Sequence, residues 1–234
     1  MADNGAVVVV GGTSEMGKQL GKHYADQGYD VVLTSRDAAK AQAVAKEIGG
    51  SSTGIALDLY KPAEIADALA GVGPVKHLAI VAIERDQNTI DDFNIEGATN
   101  LVTLKLVGYP EVIHTLKDRL GDDSSIVLFG GLAKERPYPG STTVTTVNGG
   151  ISTLIRSLAI QLAPVRINAI HPAIVGDSPY WAATPPEVLD AFRARTPIGR
   201  LVEIDDITHA TVFLLENPAV NAVNLNVDGG WLAM

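Results

Sequence analysis

The chain contains no cysteine among its 234 residues. That excludes a disulfide framework, a cysteine-ligated metal site and a thiol nucleophile, and it suits a cytoplasmic setting. Basic residues are outnumbered, 18 Lys and Arg against 27 Asp and Glu, for a net charge of −9. A nucleic-acid partner needs a basic face to meet phosphate, so none is expected. No run of about 18 apolar residues is present, so no membrane span is expected either. The opening MADNGAVVVVGG has no basic segment ahead of its apolar run, unlike a signal peptide. Five histidines form no HExxH pair, which removes the helix-borne zinc-hydrolase pattern. Charged residues are sparse at 19% against 46% hydrophobic, so the chain can bury a large core rather than stay disordered.

What is present is an alternation. AVVVV (6–10), DVVLTS (30–35), TGIALDL (53–59), HLAIVAI (77–83), SSIVLFG (124–130), VRINAIHP (165–172) and NAVNLNVDGG (221–230) read as strands. EMGKQLGKHYADQG, DAAKAQAVAKEI, PAEIADALAG and ISTLIRSLAIQLAP read as helices. Continuous apolar strands separated by helices predict an α/β fold, a single doubly wound parallel sheet with helices on both faces, in one domain over 1–234. The proline-rich DSPYWAATPPEVL (177–189) follows the sixth strand, at the carboxyl edge where such sheets bind ligands. A mobile loop over a small-molecule substrate is therefore expected around 177–200.

VVVVGGTSEMGKQLG sets Gly11, Gly12 and Gly17 between the first strand and the first helix. Glycines there permit a tight turn and close backbone approach, and the helix N-terminus favours a pyrophosphate. The second strand ends in TSRD. An acid at that corner would accept the ribose hydroxyls of NAD, whereas Ser35 and Arg36 suit the 2′-phosphate of NADP. NADP(H) is expected ahead of NAD(H). Glu15, an acid beside the phosphate loop, acts against this.

These segments resemble the short-chain dehydrogenase/reductase family. GGTSEMG is similar to its glycine motif, with Glu15 at the middle glycine, and LDL matches its adenine-contacting segment. RSLAIQLAPVRINAIHP and PIGRLVEIDDITHATVFLLEN…VNLNVDGGW match its second half, so the likeness covers essentially the whole chain. The resemblance implies a Rossmann-like fold, a nicotinamide cofactor, and oxidation or reduction of a small carbonyl or alcohol. It places the cofactor against Gly11, Thr13, Ser14, Met16 and Gly17, then Ser35 and Arg36, then Asp58 and Leu59. Further contacts fall on Val81 and Ala82 in IVAI, where the family has NNAG, on Asn148, and on Pro172 and Val175. It also implies a homo-oligomer, a tetramer paired through the helices containing Leu101–Leu116 and Ile151–Leu162 and through DGGWLAM.

The family's catalytic set is Asn, Ser and the Tyr and Lys of YxxxK. Anchored on LIRSLAIQLAPVRINA, the YxxxK positions fall on Val144 and Asn148, and the serine position on Gly131. Asn94 in NIEG has the family's N-x-x-G spelling but lies too close to Ile83. Lys105 in KLVG keeps Gly108 in register with the expected spacing, so the asparagine site falls on Lys105. On this reading Lys and Asn have exchanged helices, and Lys105 and Asn148 are the candidate catalytic residues. The alternative is a Lys105 that snorkels to solvent and an Asn148 that caps or pads its helix.

That helix begins badly, as STTVTTVNGG (141–150). Val144, Thr145, Thr146 and Val147 are β-branched, and Gly149 and Gly150 each cost a helix interior about 1 kcal/mol relative to Ala. Gly149 and Gly150 are expected to let backbone and cofactor approach closely. Tyr138, in an RPYPG segment that resembles a branch of the family lacking YxxxK, is expected at the surface, the alternative being a replacement phenol, and His171 is expected to be structural. Three functions stay open: an oxidoreductase with unusual catalytic groups, a nucleotide-binding pseudoenzyme, or a redox-neutral enzyme such as an isomerase.

Overall fold

The strand β1, Ala6–Val10, is followed by β2, Val31–Ser35, β3, Ser52–Ala56, and β4, Val75–Ile80. β5 is Leu120–Phe129, β6 Arg166–Pro172 and β7 Asn224–Val227. In this computed structural model, which describes residues 5–234, they form one sheet of order β3-β2-β1-β4-β5-β6-β7. Residues 1–4, where the expected domain and the opening segment begin, lie outside the described residues. Every neighbouring pair of strands is parallel. The order reverses between β1 and β4, which opens a crevice at the carboxyl ends of the strands.

Alternate residues explain why the strands read as unbroken apolar runs. Val8, Val10, Leu78 and Ile80 enter one core with Leu116, Ile151 and Ile155. Val7, Val9 and Ala79 enter the other with Leu20, Tyr24 and Leu214. Both faces are covered, so apolar residues dominate both, and buried polar strand residues such as Ser125 and Asn168 are hydrogen-bonded. Each fully buried Val, Leu or Ile contributes about 1.5–3 kcal/mol.

The helices are α1, Glu15–Asp26, α2, Ala38–Ile48, the short α3, Ile65–Ala68, and α4, Ile95–Val102. α4 runs through a π-helical segment, Thr103–Gly108, into α5, Tyr109–Leu116. α6 is Thr142–Gln161, α7 Pro179–Ala182, α8 Pro186–Ala194 and α9 Ile204–Glu216. Side chains cap three starts: Ser14 accepts from Gly17 N–H at 3.1 Å, Asp37 from Lys40 N–H at 3.1 Å and Asn94 from Gly97 N–H at 2.9 Å. Asn94 is thus a helix cap, worth about 1 kcal/mol, which accounts for its N-x-x-G spelling.

Several sequence expectations need correction. LDL lies beyond β3, which ends at Ala56, and β7 is four residues because Gly229 and Gly230 turn the chain at φ +60° and +87°. The helix expected over 62–71 shrinks to a 3₁₀ turn, Pro62–Glu64, and α3. The expected loop over 177–200 contains α7 and α8. Neither glycine of α6 lines the crevice at the strand ends. A Cβ on Gly150 would stand 2.8 Å from Leu106 Cδ2, so its smallness lets α6 press on the π-helical segment. Gly149 meets nothing within 4 Å.

Candidate active site

A cavity of about 1300 Å³ occupies the crevice at the carboxyl ends of the strands. That exceeds the usual 300–1,000 Å³ of a small-ligand site and leaves room for a dinucleotide beside a second ligand. Its wall includes Gly11, Thr13, Ser14, Met16, Ser35, Arg36, Asp58, Leu59, Val81, Ala82, Lys105, Asn148, Pro172 and Val175. Gly17 is the exception among the expected contacts. A Cβ there would lie 2.6 Å from Gly11 O, so Gly17 seats α1 against the loop rather than facing the cavity.

The loop has the shape of a phosphate cradle. Gly11 has φ +82°, and a Cβ on it would come within 2.7 Å of Ala82 N and Cα. Only glycine fits that turn, and it brings the backbone beside the N-terminus of α1. At the β2 corner the Arg36 guanidinium lies 5.7 Å from the Tyr60 ring centroid. Lys40, in the first turn of α2, lines the same end. Sequence reading missed it, although its position four residues after Arg36 puts it on the same side of the helix start.

The centre of the site is built where the π-helical segment meets the end of β5. Lys105 is 3% exposed, so it does not snorkel to solvent. Its Nζ donates to Asn148 Oδ1 at 2.7 Å, to Phe129 O at 3.3 Å and to Gly130 O at 3.5 Å. Three acceptors meet the three ammonium protons. Burial, with Arg85 adding its charge, pushes the Lys105 pKa down to about 7. Asn148, 4% exposed, turns its Oδ1 to Lys105 and its Nδ2 toward Gly131. A Cβ on Gly131 would stand 2.8 Å from that Nδ2, so the amide fills the space a side chain at 131 would need. Val144, 6% exposed, also lines the cavity and offers no polar group.

His171 is locked. Gly131 N–H donates to its Nδ1 at 3.1 Å, which leaves the ring proton on Nε2, 2.8 Å from Asn224 Oδ1. Burial holds its pKa down at about 4, so the imidazole is neutral and structural, as expected from sequence. Gly130 is required there, because a Cβ would fall 2.2 Å from His171 Nδ1. Tyr138 lines the cavity at 49% exposure.

The Enoyl-(Acyl carrier protein) reductase family model matches residues 11–232. The chain belongs to the short-chain dehydrogenase/reductase family. It is 27% identical to the 3-oxoacyl-[acyl-carrier-protein] reductase of Mus musculus, over 95% of each chain. Among solved structures it is similar to the 3-ketoacyl-(acyl-carrier-protein) reductase from Brucella melitensis complexed with NADH. The identity there is 27%, with a TM-score of 0.84 and coverage of 97% of this chain and 98% of that one. An actinorhodin polyketide ketoreductase solved with NADPH shares the fold, at 22% identity, TM-score 0.89 and coverage of 100% and 99%. The first of these two structures was solved with NADH and the second with NADPH.

The far end of the cavity includes Tyr180 and Trp181 of the DSPYWAATPPEVL segment expected at the carboxyl edge, whereas its arginines were not legible from sequence. α7, α8 and the C-terminal segment gather Tyr180, Trp181, Phe192 and Trp231, with neighbouring ring centroids 5.2–6.1 Å apart. Arg85, Arg136 and Arg195 lie against these rings. Arg136 belongs to RPYPG, a signal that could have pointed to them. No helix among the described residues is long and apolar enough to cross a membrane.

Proposed function

We propose that the protein is an NADP(H)-dependent oxidoreductase of a small carbonyl or alcohol, in which Lys105 and Asn148 do the work of the family's Ser, Tyr and Lys. The observation that carries the reading is the 2.7 Å contact of Lys105 Nζ with Asn148 Oδ1 in the cavity wall. When bound, the nicotinamide would supply or accept hydride. The loop of Gly11 and Ser14 would hold the pyrophosphate at the start of α1, and Arg36 with Lys40 the 2′-phosphate. Asn148 Nδ2, in the space a serine at 131 would use, donates to the substrate oxygen and orients it. Lys105 gives that oxygen a proton and is left as a neutral amine, the form its burial favours. The lack of cysteine suits a cytoplasmic reaction, which belongs to the same proposal.

A second reading, nucleotide binding without turnover, is favoured by one observation. All three ammonium protons of Lys105 already have acceptors, and Val144 brings no phenol. The exchanged variant Lys105→Asn/Asn148→Lys separates the two, because it keeps one ammonium and one amide in contact. Under the redox reading it retains a measurable part of NADPH consumption, while each single variant loses about 10²-fold or more. Equal rates in all four proteins contradict the catalytic roles. A wild type that binds NADPH but turns over no ketone in a broad panel selects the second reading.

The assembly is proposed as a homotetramer. Val102 and Val107 near α4 and Ile160 on α6 are 38%, 45% and 82% exposed, an apolar surface on the helices through which the family resemblance implies pairing. Sedimentation at micromolar concentration should give a tetramer, and a clean monomer refutes it.

A further inference from the structure

Among the described residues, three arginines at the outer end of the cavity have no carboxylate ion-pair partner. Arg136 donates Nη1 to Trp231 O at 3.1 Å, and its Cζ lies 4.8 Å from the Trp231 ring centroid. Arg195, where α8 ends, also places its Cζ 4.8 Å from that centroid. Arg85 lies 4.4 Å from the Tyr180 ring. None of the ion pairs among the described residues includes any of the three. Asp228, an acid on the same wall, engages the backbone instead, with Oδ1 accepting from Gly230 N–H at 2.9 Å and Oδ2 from Leu232 N–H at 3.0 Å.

An anion would complete this arrangement. Two guanidiniums lie 4.8 Å from one indole centroid, and neither is in an ion pair among the described residues. Stacking on Trp231 holds both forks in place before any ligand arrives, so little side-chain entropy is lost on binding. A planar carboxylate matches the guanidinium fork in bidentate geometry. We infer that the outer lobe of the cavity is an oxyanion site, which holds the carboxylate of a carbonyl substrate between Arg136 and Arg195. The carbonyl half of that statement rests on the proposed redox reading; the anion half does not.

Three probes that share one ketone test it: 4-acetylbenzoate, its methyl ester, and 4-acetylphenyl phosphate. Their affinities are measured by calorimetry on the full chain with saturating NADPH. The carboxylate should bind at least about tenfold tighter than the ester, the scale of one charge-assisted hydrogen bond. That preference should vanish in Arg136→Gln/Arg195→Gln and shrink in Arg195→Gln, an exposed position that leaves the fold untouched. The ester and NADPH should bind all three proteins alike. Equal affinity for acid and ester in the wild type, or an acid preference that survives the double variant, overturns the site. Tighter binding of the phosphate than of the carboxylate overturns the carboxylate assignment. Acid-selective binding with no NADPH consumption supports the anion site and counts against the redox reading alone. Consumption as efficient with the ester as with the acid supports the redox reading and overturns the site.

Discussion

Replacing Lys105 with Met should change how stability depends on pH. The folded-state pKa is about 7, against an ordinary value of 10.5. Below about 7 both folded and unfolded chains hold the proton, and the full cost of burying an ammonium is felt. Between the two values the unfolded chain binds a proton that the folded protein lacks, so wild-type stability rises with pH. The slope approaches about 1.4 kcal/mol per pH unit, or about 2–3 kcal/mol between about pH 7.5 and pH 9.5. Lys105→Met has a similar length and nothing to titrate. It loses hydrogen bonds to Asn148, Phe129 and Gly130, but that loss is a constant offset. Urea unfolding of both proteins across that range isolates the site, because every other titration cancels in the difference. The gap should move in favour of the wild type by about 2–3 kcal/mol as pH rises. A flat difference would mean that the three acceptors keep the ammonium at its ordinary pKa. Lys105 would then be no proton donor poised near neutrality.

Two further outcomes follow from the geometry. Arg36→Ala should weaken NADPH binding by about ten- to a hundredfold and leave NADH unchanged, as read by cofactor fluorescence; equal wild-type affinities for the two refute the assignment. Gly130→Ala should destabilise the protein by several kcal/mol in thermal or urea unfolding, because its Cβ would meet the locked His171 ring 2.2 Å away, and a neutral result would show that the ring is free to move.

Much of the fold was readable from the chain because both sheet faces are buried, and strands such as Val7–Val10 show it as unbroken apolar runs. The phosphate loop was readable for a similar reason. Gly11 needs its positive φ, and that need is written in one residue type. Lys105 and Asn148 could be placed by spacing, since Gly108 presses on Leu59 O and fixes the register of the π-helical segment. What they touch could not be read, because it depends on side chains brought together across 43 positions of sequence. Gly150 was misread for a related reason: a helical glycine lets something come close, and at this one it is Leu106. Arg85, Arg136 and Arg195 left no periodic trace, since three separate segments deliver them to one aromatic wall.

The central claim is that Lys105 is the proton donor of a redox site. Steady-state NADPH consumption by wild type and Lys105→Met, on a carbonyl substrate found by screening, tests it most directly when paired with NADPH affinity for both proteins. The account predicts a rate lower by about 10²–10⁴-fold in the variant with NADPH affinity within a few-fold. An unchanged rate in Lys105→Met would contradict it.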